Sequence, residues 1–515
     1  MDPLVLFSVV IFLIIVYLLR TAFQAGLAGI PGPFLAKFTN LWRLYKVWNW
    51  TFKQDLPALH EYYNSQLIRV GPNLLSCTDP RAVEIIYGFQ SQFKKSDMVK
   101  AMGPIYQGKR QPTMFAAADN KTHAAIRRPV APAYAMSKII QFEPFVDKSM
   151  RLFYTRLDEL FISTGNVCDY HNWVQYWAFD VISEMTMSRS LRFMEAGGDV
   201  DGVMKQLTKE TDYRALTLTM PEIDELAKWN PLRWLSKPDQ SASFALRCKR
   251  ILQQRMDEQT SGAATTDANR PADFTSAFLE AQAKDPSISD GQLIGYAKAN
   301  LTAGSDTTSV ILRTAVYYAL KQPWIAKRIV EEVDTKVKSF PVPFHTARFD
   351  LPFCAAVVRE SLRKHFAFMA LLEREVPAGG CELPDGTKLP AGVVIGMHGD
   401  TIGLSKDIFG ENADVFDPLR WLPRAGESPE SFEKRRKAMN AHDLAFGHGT
   451  RSCIGRHVAE MEIYKFIPTF FGLLEPRFVR PDEPWQLRQL FVFKQSGMDM
   501  YLKWRNDRSL ASLGI

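Results

Sequence analysis

The sequence predicts a mainly helical α+β chain standing behind one N-terminal membrane-spanning helix. Three observations carry this reading. Pro3 to Leu19 is an apolar run without a charge. Residues 140–260, and again the stretch from Ser289 to about Leu320, repeat apolar side chains at the three- and four-residue spacing of helices. Residues 67–90 carry short β-prone runs on either side of a Gly-Pro-Asn turn, the pattern of short strands.

Composition sets the outer limits. A chain of 515 residues carries a size prior of about two to four domains, yet no clear internal boundary is visible. With 46% apolar and 23% charged residues it can bury a large core. The net charge is +7 and the pI about 8.9, but both signs are interspersed, so no nucleic-acid-binding tail is present. Cysteines at 77, 168, 248, 354, 381 and 453 lack a framework spacing and fit a reducing compartment. The sequons at Asn49, Asn120 and Asn300 are read as chance matches, since Asn300 lies in an apolar helical pattern.

Taken in order, Pro3 to Leu19 would form a helix about 26 Å long, enough for a bilayer slightly thinner than average. A cleaved signal peptide carries a basic segment ahead of its apolar run. Only Asp2 stands there, and Arg20 follows, so the run reads as an uncleaved anchor with the remainder on the cytoplasmic side. Ile30-Pro31-Gly32-Pro33-Phe34 is a stiff, non-helical hinge. Strands are expected at Leu67-Ile68-Arg69-Val70 and Leu74-Leu75-Ser76-Cys77, then a helix. Lys94 to Asp119 has no periodicity and is either a plain connection or the cover of a ligand site. His123 and Arg127 are four apart, hence on one helical face. Phe142, Phe145, Met150, Phe153 and Leu157 form a stripe read as core. Met220 to Trp234 is broken by proline, and Thr260 to Asp273, poor in bulky apolar residues, is the linker candidate.

Ser289-Asp290-Gly291-Gln292 fits a capping box at the start of the long helical pattern. Ala303-Gly304-Ser305-Asp306-Thr307-Thr308 interrupts that pattern with small and polar residues. Buried Asp and Thr need partners, and Thr can bond back to a carbonyl; Leu301, Val310, Ile311 and Leu312 argue against a merely wet face. Glu360 and Arg363, three apart, would contribute only about 0.2–0.5 kcal/mol as a surface pair. Phe366 to Leu372 is apolar and ends at Glu373-Arg374, and Pro384-Asp385-Gly386-Thr387 reads as a hairpin turn. Lys434-Arg435-Arg436-Lys437 is the densest basic cluster, ordinarily a solvated face.

Phe446 to Gly455 is a glycine-punctuated loop around Cys453. Glycines at 447, 449 and 455 permit positive φ or close backbone approach. Backbone N–H groups and Arg451 beside Cys453 favour the thiolate. Such a thiolate could be a nucleophile with His448 or His457 as base, a redox centre, or a metal ligand. The lack of a Cys-x-x-Cys pair sets aside a dithiol or multi-cysteine zinc site.

Phe446, Gly449, Arg451, Cys453 and Gly455 together resemble the heme-binding loop of the cytochrome P450 family at every fixed position, Phe-x-x-Gly-x-Arg-x-Cys-x-Gly. Other motifs of that family occur in order: His123-x-x-x-Arg127 where Trp-x-x-x-Arg is common, Ala303-Gly304-x-Asp306-Thr307, Glu360-x-x-Arg363, and Phe416-Asp417-Pro418-Leu419-Arg420-Trp421. His123 to Ser137 is most similar to fungal secondary-metabolism members of the pisatin demethylase kind.

The resemblance implies the P450 fold with its long central oxygen-binding helix and small β-sheets. It divides the chain into an anchor (1–20), a proline-rich hinge (21–34) and a catalytic domain (35–515). It implies heme b, iron protoporphyrin IX, with Cys453 as axial iron ligand. His123, Arg127, Arg374 and Arg451 would hold propionates, with Phe446, Gly449, Gly455 and Ala303 around the cofactor and Gly304 leaving room for dioxygen. Asp306 and Thr307 would deliver protons, and Glu360, Arg363 and Arg420 would form a structural network. Phe366 to Leu372 would flank the substrate, Met220 to Trp234 would form an access lid, and the 434–437 cluster would dock an acidic electron donor.

The implied activity is monooxygenation of a small apolar molecule with O2, in fungal secondary metabolism, on a terpenoid, polyketide or similar compound. NADPH-cytochrome P450 reductase would supply electrons, with cytochrome b5 as a further donor, because the chain has no flavin or dinucleotide fingerprint. The implied setting is the endoplasmic reticulum membrane, single-pass, with the catalytic domain cytoplasmic; membrane lipid is a partner and nucleic acid is not. Two other readings keep the cysteine loop: a heme-thiolate isomerase or dehydratase that does not use O2, and a non-catalytic heme sensor. Both leave the Asp306–Thr307 pair without a purpose.

Overall fold

The computed structural model describes residues 3–106, 109–228, 249–251, 253–255, 257, 272–489 and 491–515. Helix α1 (Pro3–Ala22) is exposed along nearly its whole length. It reaches a mean hydropathy of 2.6 and, among the described residues, is the one helix long and apolar enough to cross a membrane. The chain leaving it is extended through Pro31 and Pro33, where proline forbids a helix. This segment is docked rather than free. The buried Arg69 guanidinium donates to the carbonyls of Ala22 (2.8 Å) and Thr21 (2.7 Å), and the Arg69 N–H donates to Pro31 O (2.7 Å).

Helix α2 (Leu41–Trp48) follows, then strands β1 (Leu67–Gly71) and β2 (Leu74–Cys77), paired antiparallel through the expected turn. Strand β3 (Lys94–Lys95) comes from the stretch in which no periodicity was visible. With β4 (Arg374–Glu375) and β5 (Val394–Gly396) these strands form one five-stranded sheet, in the order β1-β2-β5-β4-β3. Strand β5 runs parallel to β2, and the β4 pairings are antiparallel. The sheet thereby carries Lys95 and Arg374 as cross-strand partners.

The rest is helical. Helix α3 (Asn120–Arg127) starts on Asp119, whose carboxylate accepts the Thr122 N–H. The stripe Phe142, Phe145, Met150, Phe153 and Leu157 is buried throughout. Helix α4 (Tyr170–Met187) has almost every side chain inside and lies along α5 (Asp290–Lys321), the long central helix. A capping box starts α5: the Ser289 hydroxyl accepts the Gln292 N–H, and Gln292 Oε1 accepts the Ser289 N–H at 2.8 Å. Asn300, on α5, accepts the Tyr134 hydroxyl at 2.6 Å and is half-buried. Helices α6 (Pro352–Lys364), α7 (Pro429–Ala441) and α8 (Arg456–Leu473) complete the frame, with α6 and α8 against α5. A C-terminal hairpin joins β6 (Gln486–Gln489) to β7 (Phe493–Ser496).

The proline-broken stretch from Met220 to Trp234 is described only to residue 228, where Pro221–Lys228 is helical; the remainder lies outside the described residues. So does the linker candidate 260–273 up to residue 271; Asp273 itself caps the helix Phe274–Lys284.

Candidate active site

Cys453 lies between a short helical turn, Gly449–Arg451, and the start of α8. Its N–H donates to Phe446 O at 2.7 Å, which closes the loop. Gly449 has φ +59°, and a Cβ there would lie 2.0 Å from the Tyr87 carbonyl oxygen, so only glycine fits. Gly455 is different from the expectation: its φ is −81°, and an added Cβ would be 3.9 Å from the Cys453 sulfur. Its role is open space beside the thiol, not an unusual turn. The Cys453 side chain is exposed to that space. Burial among surrounding groups nonetheless pushes its thiol pKa up, opposed by the Gly455 N–H and by Arg127 and Arg456.

The charge beside the thiol therefore comes from Arg127 and Arg456, not from Arg451 as the spacing suggested. Arg127 Nη1 donates to Ser452 O at 2.9 Å. Arg451 turns away, donating to the carbonyls of Ala117 (2.8 Å) and Ala118 (2.9 Å) and to Asn120 Oδ1. His448 bonds Glu84 Oε2 at 3.0 Å, and His457 contacts Glu460. Both histidines are occupied elsewhere, so neither is placed as a base for Cys453.

The expected propionate holders come together around Cys453's neighbour Arg127. His123, Arg127, Arg374 and Arg451, joined by Lys95, lie within electrostatic reach of one another. Burial and mutual repulsion hold His123 down to about 3 and Arg451 to about 10, and push Lys95 well below its ordinary value. Among the described residues none of these cations forms an ion pair. Among the described residues the guanidinium of Arg374, 6% exposed, has the Glu373 carbonyl at 2.8 Å and the Tyr87 ring at 5.0 Å. His123 is therefore neutral, Arg374 is buried and Lys95, Arg127 and Arg451 are half-buried, and cations crowded in this way are costly unless an anion arrives. This arrangement fits a heme: a thiol facing open space, and cations placed for carboxylates. Lys95 was missed in the sequence, because nothing in an aperiodic stretch marks which lysine turns inward.

Helix α5 passes this region, with Tyr134 bonded to Asn300 and in electrostatic reach of Cys453. Ala303 is exposed and Thr307 half-exposed on a helix whose neighbouring turns are buried. The Thr307 hydroxyl donates to Ala303 O at 2.8 Å, the back-bonding expected of threonine in a helix. Asp306 faces elsewhere. It is buried, accepts from Gln175 Nε2 of α4, and stands 3.6 Å from Lys494 Nζ of β7. Gln175 in turn accepts from Arg313 at 3.0 Å. Gly304 is a close-packing position, where an added Cβ would lie 2.9 Å from Ile182 of α4. The Cβ direction at 304 thus points at α4, so the glycine lets two helices approach.

Behind the loop, Glu360 is fully buried and accepts from Arg363 (2.8 and 2.6 Å), Arg420 (3.0 Å), the Asp417 N–H (2.9 Å) and Trp421 Nε1 (2.9 Å). Burial would raise its pKa, but the arginines outweigh burial and hold it below the usual range. The basic cluster on α7 is not uniform. Arg435 points inward to Glu427 and to the carbonyls of Arg420 and Leu422, whereas Arg436 and Lys437 share Glu433 at the surface.

The family model described as Cytochrome P450 matches residues 38–499. The chain is 61% identical over 504 residues to the cytochrome P450 monooxygenase vrtE of Penicillium aethiopicum, covering 97% of this chain and 94% of that protein. It is 38% identical over 474 residues to a cytochrome P450 monooxygenase of Aspergillus terreus, covering 91% and 94%. The crystal structure of a cytochrome P450DA heme domain superposes with a TM-score of 0.72 at 17% identity, over 93% of this chain and 98% of that one, which shows the fold. The motif order, the unpaired cations beside an open cysteine and these matches agree: the chain belongs to the cytochrome P450 family.

Proposed function

We propose that this chain is a membrane-anchored heme-thiolate monooxygenase, inserting one atom of O2 into a small apolar molecule of fungal secondary metabolism and releasing the other as water. The observation that carries the reading is the exposed Cys453 near a cluster of cations, Arg374 buried and Arg127, Arg451 and Lys95 half-buried, that forms no ion pair among the described residues. Cys453 would ligate the iron of heme b, and His123, Arg127, Arg374, Arg451 and Lys95 would face its carboxylates. Bound heme supplies electron acceptance and oxygen activation, with the thiolate's electron donation favouring O–O cleavage.

The chain's own part is to manage protons and keep the site in register. Asp306 holds a carboxylate between Gln175 and the partly exposed Lys494, a path by which a proton reaches it from solvent. Thr307 presents its hydroxyl on the open side of α5 and must turn from Ala303 O to pass a proton on. The Glu360–Arg363–Arg420 network would hold the segment leading into the cysteine loop. Residues 1–20 would anchor the chain in the endoplasmic reticulum membrane, 21–34 connect, and 35–515 form the cytoplasmic catalytic domain. Electrons would come from NADPH-cytochrome P450 reductase, with cytochrome b5 as a further donor, docking near Lys434, Arg436 and Lys437.

Co-expression with a reductase, with metabolite profiles compared for the unaltered chain and Cys453→Ser, tests this. An oxygenated product that needs NADPH and O2 and disappears in the variant supports it. Identical profiles contradict it, and turnover without either reagent points to an isomerase.

A further inference from the structure

A second buried charge cluster lies away from the cysteine loop, where β5 leads out of the sheet. Lys53, His365, His398 and Asp400 are all buried or nearly so. The Lys53 ammonium contacts the Asp400 carboxylate, stands 3.5 Å from His365 Nδ1 and 3.8 Å from the centre of the Phe493 ring. Burial depresses the basicity of His365 to about 3 and of His398 to about 4, so both imidazoles are neutral acceptors or donors at physiological pH. Lys53 and Asp400 are the charged members.

Asp400 and His398 each bond one segment, 366–368, while the Lys53 N–H donates to Gln489 Oε1 at 3.2 Å. Asp400 Oδ1 accepts the Phe366 N–H, and His398 Nε2 bonds Phe368 O at 3.0 Å. Gly399, between them, lies so close to Phe366 that an added Cβ would be 2.7 Å from its ring. On its other side the segment is stitched to the C-terminal hairpin: Met369 N–H donates to Phe491 O at 3.2 Å and Phe493 N–H to Ala367 O at 3.1 Å. An aromatic row starts there. Phe366 meets Phe368 at 5.7 Å, Phe368 meets Phe491 at 5.3 Å, and Phe491 meets Phe115 at 5.9 Å. The row ends at Lys95, whose ammonium donates to Phe115 O at 2.8 Å and lies 4.1 Å from that ring's centre. Lys95 belongs to the cation set beside Cys453, so the row forms an apolar wall reaching the edge of the cofactor site.

We propose that Lys53, His398 and Asp400 are positioning residues that fix the Phe368–Phe491–Phe115 wall and thereby set which apolar substrates the chamber admits. This rests on the heme-thiolate reading above. Asp400 must stay ionised in a largely buried place to hold the Phe366 N–H strongly, and among the described residues Lys53 supplies the counter-charge. Without Lys53 the carboxylate is an unpaired buried charge, and the segment it holds is released. The wall then shifts, while the cysteine loop, held by its own bonds, stays put.

The test uses the full-length, heme-loaded chain and optical titration with imidazole and with 1-phenylimidazole, one fitting any open iron site and the other needing space against the wall. Lys53→Met should weaken 1-phenylimidazole about tenfold or more and leave imidazole within about twofold. Lys53→Met with Asp400→Asn should restore 1-phenylimidazole to within about threefold of the unaltered chain, because the amide oxygen still accepts the Phe366 N–H and needs no cation. Equal changes for both ligands, no change for either, or a double variant as poor as the single one would overturn the proposal. An unaltered chain that gives no imidazole spectrum fails the heme-thiolate reading itself, and this inference with it.

Discussion

The Arg127 guanidinium donates to the carbonyl of Ser452, the residue before Cys453, at 2.9 Å across 325 positions of sequence. Arg451 makes the reverse connection, from the cysteine loop to the carbonyls of Ala117 and Ala118. The two arginines lock the loop to the segment around α3 before any cofactor is considered. They are also members of the cation set, so one pair of side chains ties cofactor binding to loop geometry.

Arg127→Leu removes a charge-assisted bond of about 1.5–3 kcal/mol and one cation of the set. Heme content per purified chain should fall several-fold, read by pyridine hemochromogen absorbance, while far-ultraviolet circular dichroism is unchanged. Full heme content would show that the Arg127–Ser452 bond is dispensable.

Glu360→Gln leaves Arg363 and Arg420 as buried cations without their anion. Breaking such a pair costs about 3–5 kcal/mol. The expected result is a correspondingly lower free energy of unfolding in urea, with little heme-loaded chain recovered. A stability within about 1 kcal/mol of the unaltered chain would remove the network from the account.

His365 and His398 have folded pKa values of about 3 and about 4, below the 6.5 of the exposed imidazole, because burial disfavours the cation. Between pH 6.5 and about 4 the unfolded chain therefore binds more protons than the folded one. The contribution of these two histidines is full above pH 6.5 and falls as pH drops through that window, opposed by Glu462, which burial raises to about 8. Glu360, held below 4.5 in the fold, adds a further loss at the acid end. Thermal midpoints measured from pH 7.5 to 4.5 should shift in favour of His365→Phe relative to the unaltered chain as pH falls. Parallel profiles for the two chains would contradict the burial of His365.

The α7 cluster should divide by direction. Reversing Lys434, Arg436 and Lys437 to glutamate should raise the apparent KM for reductase several-fold and leave the thermal midpoint unchanged. Arg435→Ala should do the opposite, because Arg435 bonds Glu427 and two carbonyls inside. Stopped-flow reduction and calorimetry on the same preparations separate the two effects.

Short-range chemistry was legible in the sequence. The Ser289–Gln292 cap, the stripe from Phe142 to Leu157 and the apolar α1 follow from spacing over a few residues. Long-range partners were not. Gln175 reaches Asp306 from 131 positions away, and Lys53 meets Asp400 from another helix entirely. Neither residue belongs to a motif. Orientation was hidden as well: a helix turns about 100° per residue, so adjacent Asp306 and Thr307 face different surroundings. Arg451 stands two residues before the cysteine, yet Arg127 and Arg456 supply the charge, because Arg451 is turned to the carbonyls of Ala117 and Ala118.

Iron ligation by Cys453 is read from the spectrum of the reduced, carbon monoxide-bound chain. The unaltered chain should show the strongly red-shifted Soret band of a thiolate-ligated heme. Cys453→His should move that band to the position of an imidazole-ligated heme, with heme still bound by the cations around Arg374. A Cys453→His chain that keeps the red-shifted band would contradict the account.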